Sequence, residues 1–268
     1  MKILITGYRG FIGQNMTAAL VSDHDLRLFE WDQPMPTIRG LDWVIHLGGI
    51  SSTTERDVER IMRQNYDFSC WLLDECANYG VNLQFSSSAS VYGLNRDFGE
   101  LDPVDPRSPY SWSKYLFERY VERNRRNFRK DIIVQGFRYF NVYGSGEGHK
   151  GGQASPFHQF ARQARETGRI KLFYGSHHFL RDFVSVEQVV DTHKEFLRVN
   201  ESGIWNVGTG QPRSFLSVAE EVVQKHPAEF EFVEMPDSLK TQYQIYTCAD
   251  LTKLKRTLGE TYCSKWNL

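Results

Sequence analysis

Nothing in the 268-residue sequence approaches a run of about 18 consecutive apolar residues, which excludes a membrane-spanning helix. There are only 4 cysteines, Cys70, Cys76, Cys248 and Cys263, with no CxxC pair, so neither a zinc ribbon nor a disulfide framework is expected. The 8 histidines include one adjacent pair, His177-His178, but no HxH or HExxH pattern, and no metal site is expected. Charge of one sign is not in excess either. The 32 Lys+Arg and 33 Asp+Glu leave a formal net charge of −1, which argues against a general nucleic-acid binder. The longest basic stretch, Arg123 to Lys130, is interrupted by Asn124, Asn127 and Phe128 and reads as a solvated helix end. The apolar Ile3-Leu4-Ile5 is too short for a signal peptide and runs straight into Thr6-Gly7. A soluble, cytoplasmic protein is the expectation.

What the sequence does have is apolar surface to bury: 18 Phe, 13 Tyr and 6 Trp exclude disorder as the dominant state. Its order is that of an α/β protein. Strand candidates at Lys2–Thr6, Leu26–Trp31, Trp43–Leu47, Asn82–Ser86 and Ile132–Phe137 alternate with helical segments at Gln14–Leu20, Glu55–Tyr79 and Pro109 to about Asn127. This alternation predicts a Rossmann-type, doubly wound parallel sheet whose ligand sits at the carboxyl ends of the strands. After a Gly-rich loop, Gly144 to Gly152, come a helix near Pro156–Glu166 and short strands around Leu172 and Phe183. The expected organisation is a nucleotide-binding core over 1–143, rejoined by 182–208, with a small substrate-binding lobe from 144–181 and 209–268.

Two constellations carry chemistry. In Gly7-Tyr8-Arg9-Gly10-Phe11-Ile12-Gly13, directly after the first strand, the glycines suit a tight turn, a close approach to pyrophosphate and close helix–strand packing. Glu30 or Asp32, ending the second strand, could bind ribose hydroxyls, whereas Arg9 could meet a 2′-phosphate. Tyr110 and Lys114 stand four residues apart on one helix face, behind Ser108 and Pro109 as N-cap and first-turn residues. A phenol with a reference pKa of about 10 needs a nearby cation to serve as a base near neutral pH. Upstream, the run Ser86-Ser87-Ser88-Ala89-Ser90 follows a strand and can offer a hydroxyl to a reacting oxygen.

Thr6-Gly7 to Gly13, the serine run ending in Val91-Tyr92-Gly93, and Tyr110/Lys114 together resemble the extended short-chain dehydrogenase/reductases that modify nucleotide sugars, the NAD-dependent epimerase/dehydratase family. Further likeness lies in Ser51-Ser52-Thr53-Thr54-Glu55, Phe137 to Gly144, Glu147-Gly148-His149-Lys150-Gly151, Arg181-Asp182-Phe183-Val184, Asn206 to Gly210 and Ala249 to Thr252. These segments are similar to the branch that epimerises C6 of a nucleotide-linked heptose of the lipopolysaccharide core. The resemblance implies a tightly bound nicotinamide cofactor that takes hydride from the sugar and returns it to the opposite face. Catalytic roles would fall to Tyr110, Lys114, Ser88 and Lys150, with Ser86, Ser87 and Ser90 as neighbours in register. Cofactor contacts would add Leu47, Gly48, Gly49, Asn65, Ser86 and Val142 to the glycine loop, Glu30 and Asp32. Substrate contacts would be Ser51, Ser88, Asn141, Lys150, His158, Phe173, Arg181 and Tyr243. NADP is the expected cofactor, with NAD the alternative, and a homo-oligomer is expected.

Two features depart from the family. Only ten residues, Gln33 to Asp42 with Pro34 and Pro36, separate Asp32 from Trp43, so the sheet is expected to lack its edge on the adenine side. The sequence also stops at Leu268, soon after Asp250-Leu251-Thr252, where a further helix is usual. A dehydratase is disfavoured, because Ala89 and Ser90 rather than an acid follow Ser88. The remaining alternatives are a UDP-hexose 4-epimerase, a GDP-sugar epimerase-reductase, or a cofactor-binding sensor without turnover.

Overall fold

The computed structural model describes residues 1–52, 55–128, 131–240 and 243–268. Its centre is a six-stranded sheet built from the short apolar segments. These are β1 (Lys2–Thr6), β2 (Asp25–Phe29), β3 (Trp43–His46), β4 (Asn82–Ser88), β5 (Val134–Tyr139) and, from late in the chain, Gly203–Val207. Between them run α1 (Phe11–Leu20), α2 (Val58–Ile61), a π-helical turn Met62–Asp67, α3 (Phe68–Tyr79) and α4 (Pro109–Asn124).

The second half supplies β6 (Asn141–Tyr143), α5 (Pro156–Thr167), β7 (Arg169–Phe173), β8 (Leu180–Arg181), β9 (Phe183–Ser185) and α6 (Val186–Phe196). Then follow β10 (Gly203–Val207), β11 (Arg213–Ser214), α7 (Phe215–Lys225), β12 (Glu229–Val233), α8 (Asp237–Lys240) and α9 (Thr252–Trp266). The sheet order is β10-β5-β4-β3-β1-β2, all parallel. The order reverses between β1 and β3, and the carboxyl ends of those strands open the crevice where a doubly wound sheet binds its ligand.

Alternation along the central strands explains why both faces are covered. Leu4, Val44, Leu83 and Phe85 point into a core closed by Phe68, Leu72 and Leu73 of α3 and Phe117 of α4. Ile3, Ile5 and Ile45 face the other way, onto Met16 and Leu20 of α1 and Val190 of α6. Burying each such side chain stabilises the fold by about 1.5–3 kcal/mol, so a register slip of one residue in β1 would lose both cores. A separate apolar cluster holds α5, β7 and α7 together through Phe160, Ile170, Leu172, Val218 and Val222.

The sheet ends at β2, as the short Gln33–Asp42 connection predicts. Other expectations are corrected. The helix read over Glu55–Tyr79 is broken into α2, the π turn and α3, and Thr53 and Thr54 of the SSTTE segment lie outside the described residues. The Gly144–Gly152 loop winds into 3₁₀ turns over Glu147–Gln153, interrupted at Gly151, where φ is 53°. The helix expected to be missing after Thr252 is present as α9; Gly259 (φ 75°, ψ −177°) kinks it, which obscured its periodicity. Strand β5 starts at Val134, because the Ile133 N–H is taken by the Asn82 side chain. Among the described residues no helix is long and apolar enough to cross a membrane.

Candidate active site

The crevice is walled by backbone. Gly7 has φ 73°, and a Cβ on it would lie 2.6 Å from Gly48 Cα, so the ends of β1 and β3 can meet only if Gly7 lacks a side chain. A Cβ on Gly13 would come within 2.0 Å of the Gly7 carbonyl oxygen, which fixes α1 against the turn. Gly10 is the N-cap of α1, followed by Phe11, Ile12 and Gly13, so no acidic side chain occupies the first turn. That leaves backbone N–H groups and the positive end of the helix dipole facing the crevice. Gly13→Ala is expected to push α1 outward and cost at least about 1–3 kcal/mol through overpacking; thermal unfolding with and without added dinucleotide checks both stability and binding.

The second wall is fixed by a chain of buried hydrogen bonds. Gly48 N–H donates to Thr6 Oγ1 (3.2 Å), and Thr6 Oγ1 meets His46 Nδ1 (2.6 Å). His46 Nε2 meets Ser69 Oγ (2.8 Å), and Ser69 Oγ donates to the Asn65 carbonyl (2.6 Å). Since Ser69 spends its proton on Asn65, His46 donates from Nε2 and accepts at Nδ1. Burial keeps this imidazole neutral, its pKa lowered to about 3. Asn65, expected as a cofactor contact, holds the loop after β3: it accepts from Ile50 N–H (2.7 Å) and donates to Ile50 O (2.9 Å) and Ser113 Oγ (3.1 Å). Its oxygen also makes Gly49 obligatory, since a Cβ there would lie 2.7 Å from it. Leu47 precedes these glycines, and Ser51 beyond them is exposed.

At the adenine side, Arg9 N–H donates to Glu30 Oε1 (2.8 Å), and the Arg9 guanidinium pairs with Asp32 (2.7 Å). The guanidinium holds the Asp32 carboxyl below its usual range.

Helix α4 presents Tyr110 and Lys114, the pair expected to react. Ser108 and Ser111 form a reciprocal capping box with Pro109 in the first turn, which starts the helix one residue before Tyr110. Lys114 is 8% exposed and donates from Nζ to Ser86 O (2.9 Å) and Ser86 Oγ (3.3 Å). Its Nζ lies 5.9 Å from the centre of the Tyr110 ring. Burial lowers the Lys114 pKa to about 8, opposed by Glu118. Burial raises that of Tyr110, opposed by a hydrogen bond with Ser88. Ser88 Oγ accepts from Ser90 N–H (3.1 Å), which leaves its own proton to donate. Ser87 turns the other way and donates to Glu118 (2.5 Å), so the serine run is not interchangeable.

Lys150 lies over the Phe11 ring (5.1 Å) at the first turn of α1, and burial lowers its pKa. Its loop is anchored by Glu147, 2% exposed, which accepts from Gly144 N, Ser155 N and Ser155 Oγ. His158, in the first turn of α5, faces Gly148. Asn141 donates to the Asp182 carbonyl (3.1 Å), and Val142 pairs with Val184.

A second group gathers around Arg181. This guanidinium is 8% exposed and lies over Tyr243 (5.3 Å) and Phe215 (5.6 Å). It donates to the carbonyls of Leu180 and Gln244, and among the described residues no carboxylate pairs with it. Phe173, Phe179, Phe215 and Tyr243 line an adjoining cavity of about 310 Å³, where the buried Ser176 hydroxyl has no partner. A larger cavity, about 670 Å³, lies beside the second half of α4 and is not part of this crevice.

Asp182 is the residue that single-sequence reading missed. Fully buried, it accepts from Thr209 N (2.7 Å), Thr209 Oγ1 (2.7 Å), Gly210 N (2.8 Å) and Ala249 N (2.9 Å). It thereby fastens two distant loops beside Arg181.

A family model described as "NAD dependent epimerase/dehydratase family" matches residues 3–208. The fold is similar to ADP-L-glycero-D-manno-heptose-6-epimerase of Helicobacter pylori, at 23% identity and TM-score 0.82, covering 96% of this chain and 89% of that one. It is also similar to the UDP-glucose 4-epimerase of Thermotoga maritima, solved with UDP-glucose, at 24% identity, TM-score 0.84 and coverage of 96% and 92%. A UDP-glucuronic acid 4-epimerase of Bacillus cereus, solved with a fluorinated UDP-sugar and NAD, matches at 22% identity and TM-score 0.81, with coverage of 96% and 93%.

Proposed function

The chain belongs to the NAD-dependent epimerase/dehydratase family, and on that footing we propose that it is a nucleotide-sugar epimerase, acting at C6 of ADP-glycero-manno-heptose. The observation that carries the reaction type is the meeting of Tyr110, Lys114, Ser86 and Ser88 at the carboxyl end of β4.

The crevice fits a dinucleotide. Gly7, Gly13 and Gly48 let the ends of β1, β3 and α1 pack so closely that any Cβ would crowd its neighbours, and the uncapped start of α1 suits a pyrophosphate. Glu30, Asp32, Lys114 and Ser86 would hold the ribose and nicotinamide ends. When bound, the cofactor supplies the acceptance and return of hydride. The sequence favoured NADP through Arg9, but the Arg9–Asp32 pair supports NAD, because a 2′-phosphate there would meet the Asp32 carboxylate.

Tyr110 would take the proton of the sugar hydroxyl when one epimer is oxidised and return it when the carbonyl is reduced to that same epimer. Ser88 would hydrogen-bond the reacting oxygen, and the Lys114 ammonium would favour the phenolate. Lys150, whose pKa is lowered by burial, would act as the acid/base for the opposite face. Arg181, buried with aromatic faces but no carboxylate, would hold the diphosphate, and the aromatic cavity beside it would take the base.

Incubation with either C6 epimer of ADP-heptose should give a mixture of both by NMR, with NAD as the nucleotide released on denaturing the protein. Turnover of a UDP- or GDP-hexose without heptose interconversion would overturn the substrate assignment, and recovery of NADP would overturn the cofactor.

A further inference from the structure

Beneath the reactive pair, one face of α4 continues to Glu118, four residues beyond Lys114 and eight beyond Tyr110. These three side chains address the three successive serines of β4: Tyr110 meets Ser88, Lys114 meets Ser86, and Glu118 accepts from Ser87. The Glu118 carboxylate, 3% exposed, is gripped by Arg138 of β5 through Nε to Oε1 (2.9 Å) and Nη2 to Oε2 (2.7 Å). Arg138 also donates from Nη1 to Tyr92 OH (2.9 Å), and Tyr92 OH donates to Asn206 Oδ1 (2.8 Å). Every charged atom of the pair is therefore satisfied.

We propose that Arg138 and Glu118 are positioning residues for the reactive pair: Arg138 withholds the Glu118 carboxylate from Lys114, so that the ammonium stays on Ser86 and remains the one uncompensated charge of the three below Tyr110. A bidentate, planar guanidinium suits this task better than an ammonium would, since both carboxylate oxygens are taken at once. Isolated stabilisation explains less, because a buried ion pair is often no more stabilising than apolar residues of the same volume. Among the described residues, His46 of β3, kept neutral by burial, acts on Lys114, and Tyr139 of β5, kept protonated by burial, acts on Tyr110. Beyond Arg138 lie the Tyr92 phenol, kept protonated by burial, and the ionisable Glu100 and Lys253 on the far side of the pair.

This inference rests on the proposed roles of Tyr110 and Lys114, and its test separates the two. Protein labelled with ¹³C-lysine, with Lys114 assigned by a Lys114→Arg variant, is titrated by NMR without substrate. Arg138→Met should raise the Lys114 midpoint by about one pH unit, and Glu118→Gln should lower it by a similar amount. In the NAD-dependent assay, the acid limb of the kcat profile should move in the same two opposite directions, because an uncompensated carboxylate disfavours the phenolate and an uncompensated guanidinium favours it. A merely structural pair would lower stability in both variants and leave the midpoints alone. Should Arg138→Met fail to fold, Glu118→Gln combined with Arg138→Met is expected to bring the midpoint back up from that of Glu118→Gln alone. Unmoved midpoints, or shifts in the same direction, would overturn the inference. Opposite lysine shifts in a protein that turns over no nucleotide sugar would instead overturn the proposed reaction.

Discussion

Tyr110→Phe is expected to lower nucleotide-sugar turnover by about 10³-fold while dinucleotide binding stays within about threefold of the parent, the scale on which a positioned general acid/base contributes. The phenol lies in the first turn of α4, where the capping box and Pro109 fix the backbone, so removing one oxygen leaves the helix intact. The lost group is the proton acceptor beside Ser88. Its protonated form is favoured by burial, so in the native protein kcat should fall as pH drops and the phenolate is lost. Lys114 works in the other direction, being mostly protonated below its pKa of about 8 and favouring the phenolate there. Steady-state rates across pH, alongside calorimetric cofactor binding, check the prediction. Equal rates for Tyr110→Phe and the parent would remove Tyr110 from the chemistry.

The largest expected loss of stability comes from a residue that touches none of the candidate ligands. Asp182→Ala leaves the N–H groups of Thr209, Gly210 and Ala249 without their acceptor. Each buried donor left unsatisfied costs about 1–3 kcal/mol, so a total of about 3–5 kcal/mol is expected, among the larger values for one substitution. For a chain of this size that lowers the melting midpoint by about 10 °C. Asp182→Asn should recover only part of the loss, because its amide offers one acceptor oxygen where the carboxylate offers two. Urea unfolding of the three proteins checks the order. A loss below about 1 kcal/mol for Asp182→Ala would mean the two loops hold without it.

The parts of the site that could be read from the sequence are those written locally. The glycine turn is three glycines within seven residues at the end of an apolar strand, and the Tyr110–Lys114 pair follows from helical spacing behind Ser108 and Pro109. The doubly wound parallel sheet followed from strand–helix alternation, and the short Gln33–Asp42 connection announced the missing edge. What escaped was written across long separations. Asp182 acts on Ala249, 67 residues away, and Ser87 meets Glu118 at a separation of 31. Neither spacing leaves a periodic trace. Asn65 entered through the resemblance alone, and its bonds to Ile50 and Ser113, 15 and 48 residues away, leave no local trace either. Helix α9 was missed because Gly259 interrupts it.

With β2 as the outermost strand, the floor of the sheet stops directly under the position where an adenosine would lie. The connection beyond it, with Pro34 and Pro36, adds no strand and closes this side by packing Ile38 and Leu41 beside Phe29. A dinucleotide held as proposed would consequently be gripped at its middle and its reactive end, with its purine end beyond the last strand. On the proposed reading one bound NAD is oxidised and restored in every cycle, so its retention would rest on the glycine turn and Lys114 rather than on the purine end.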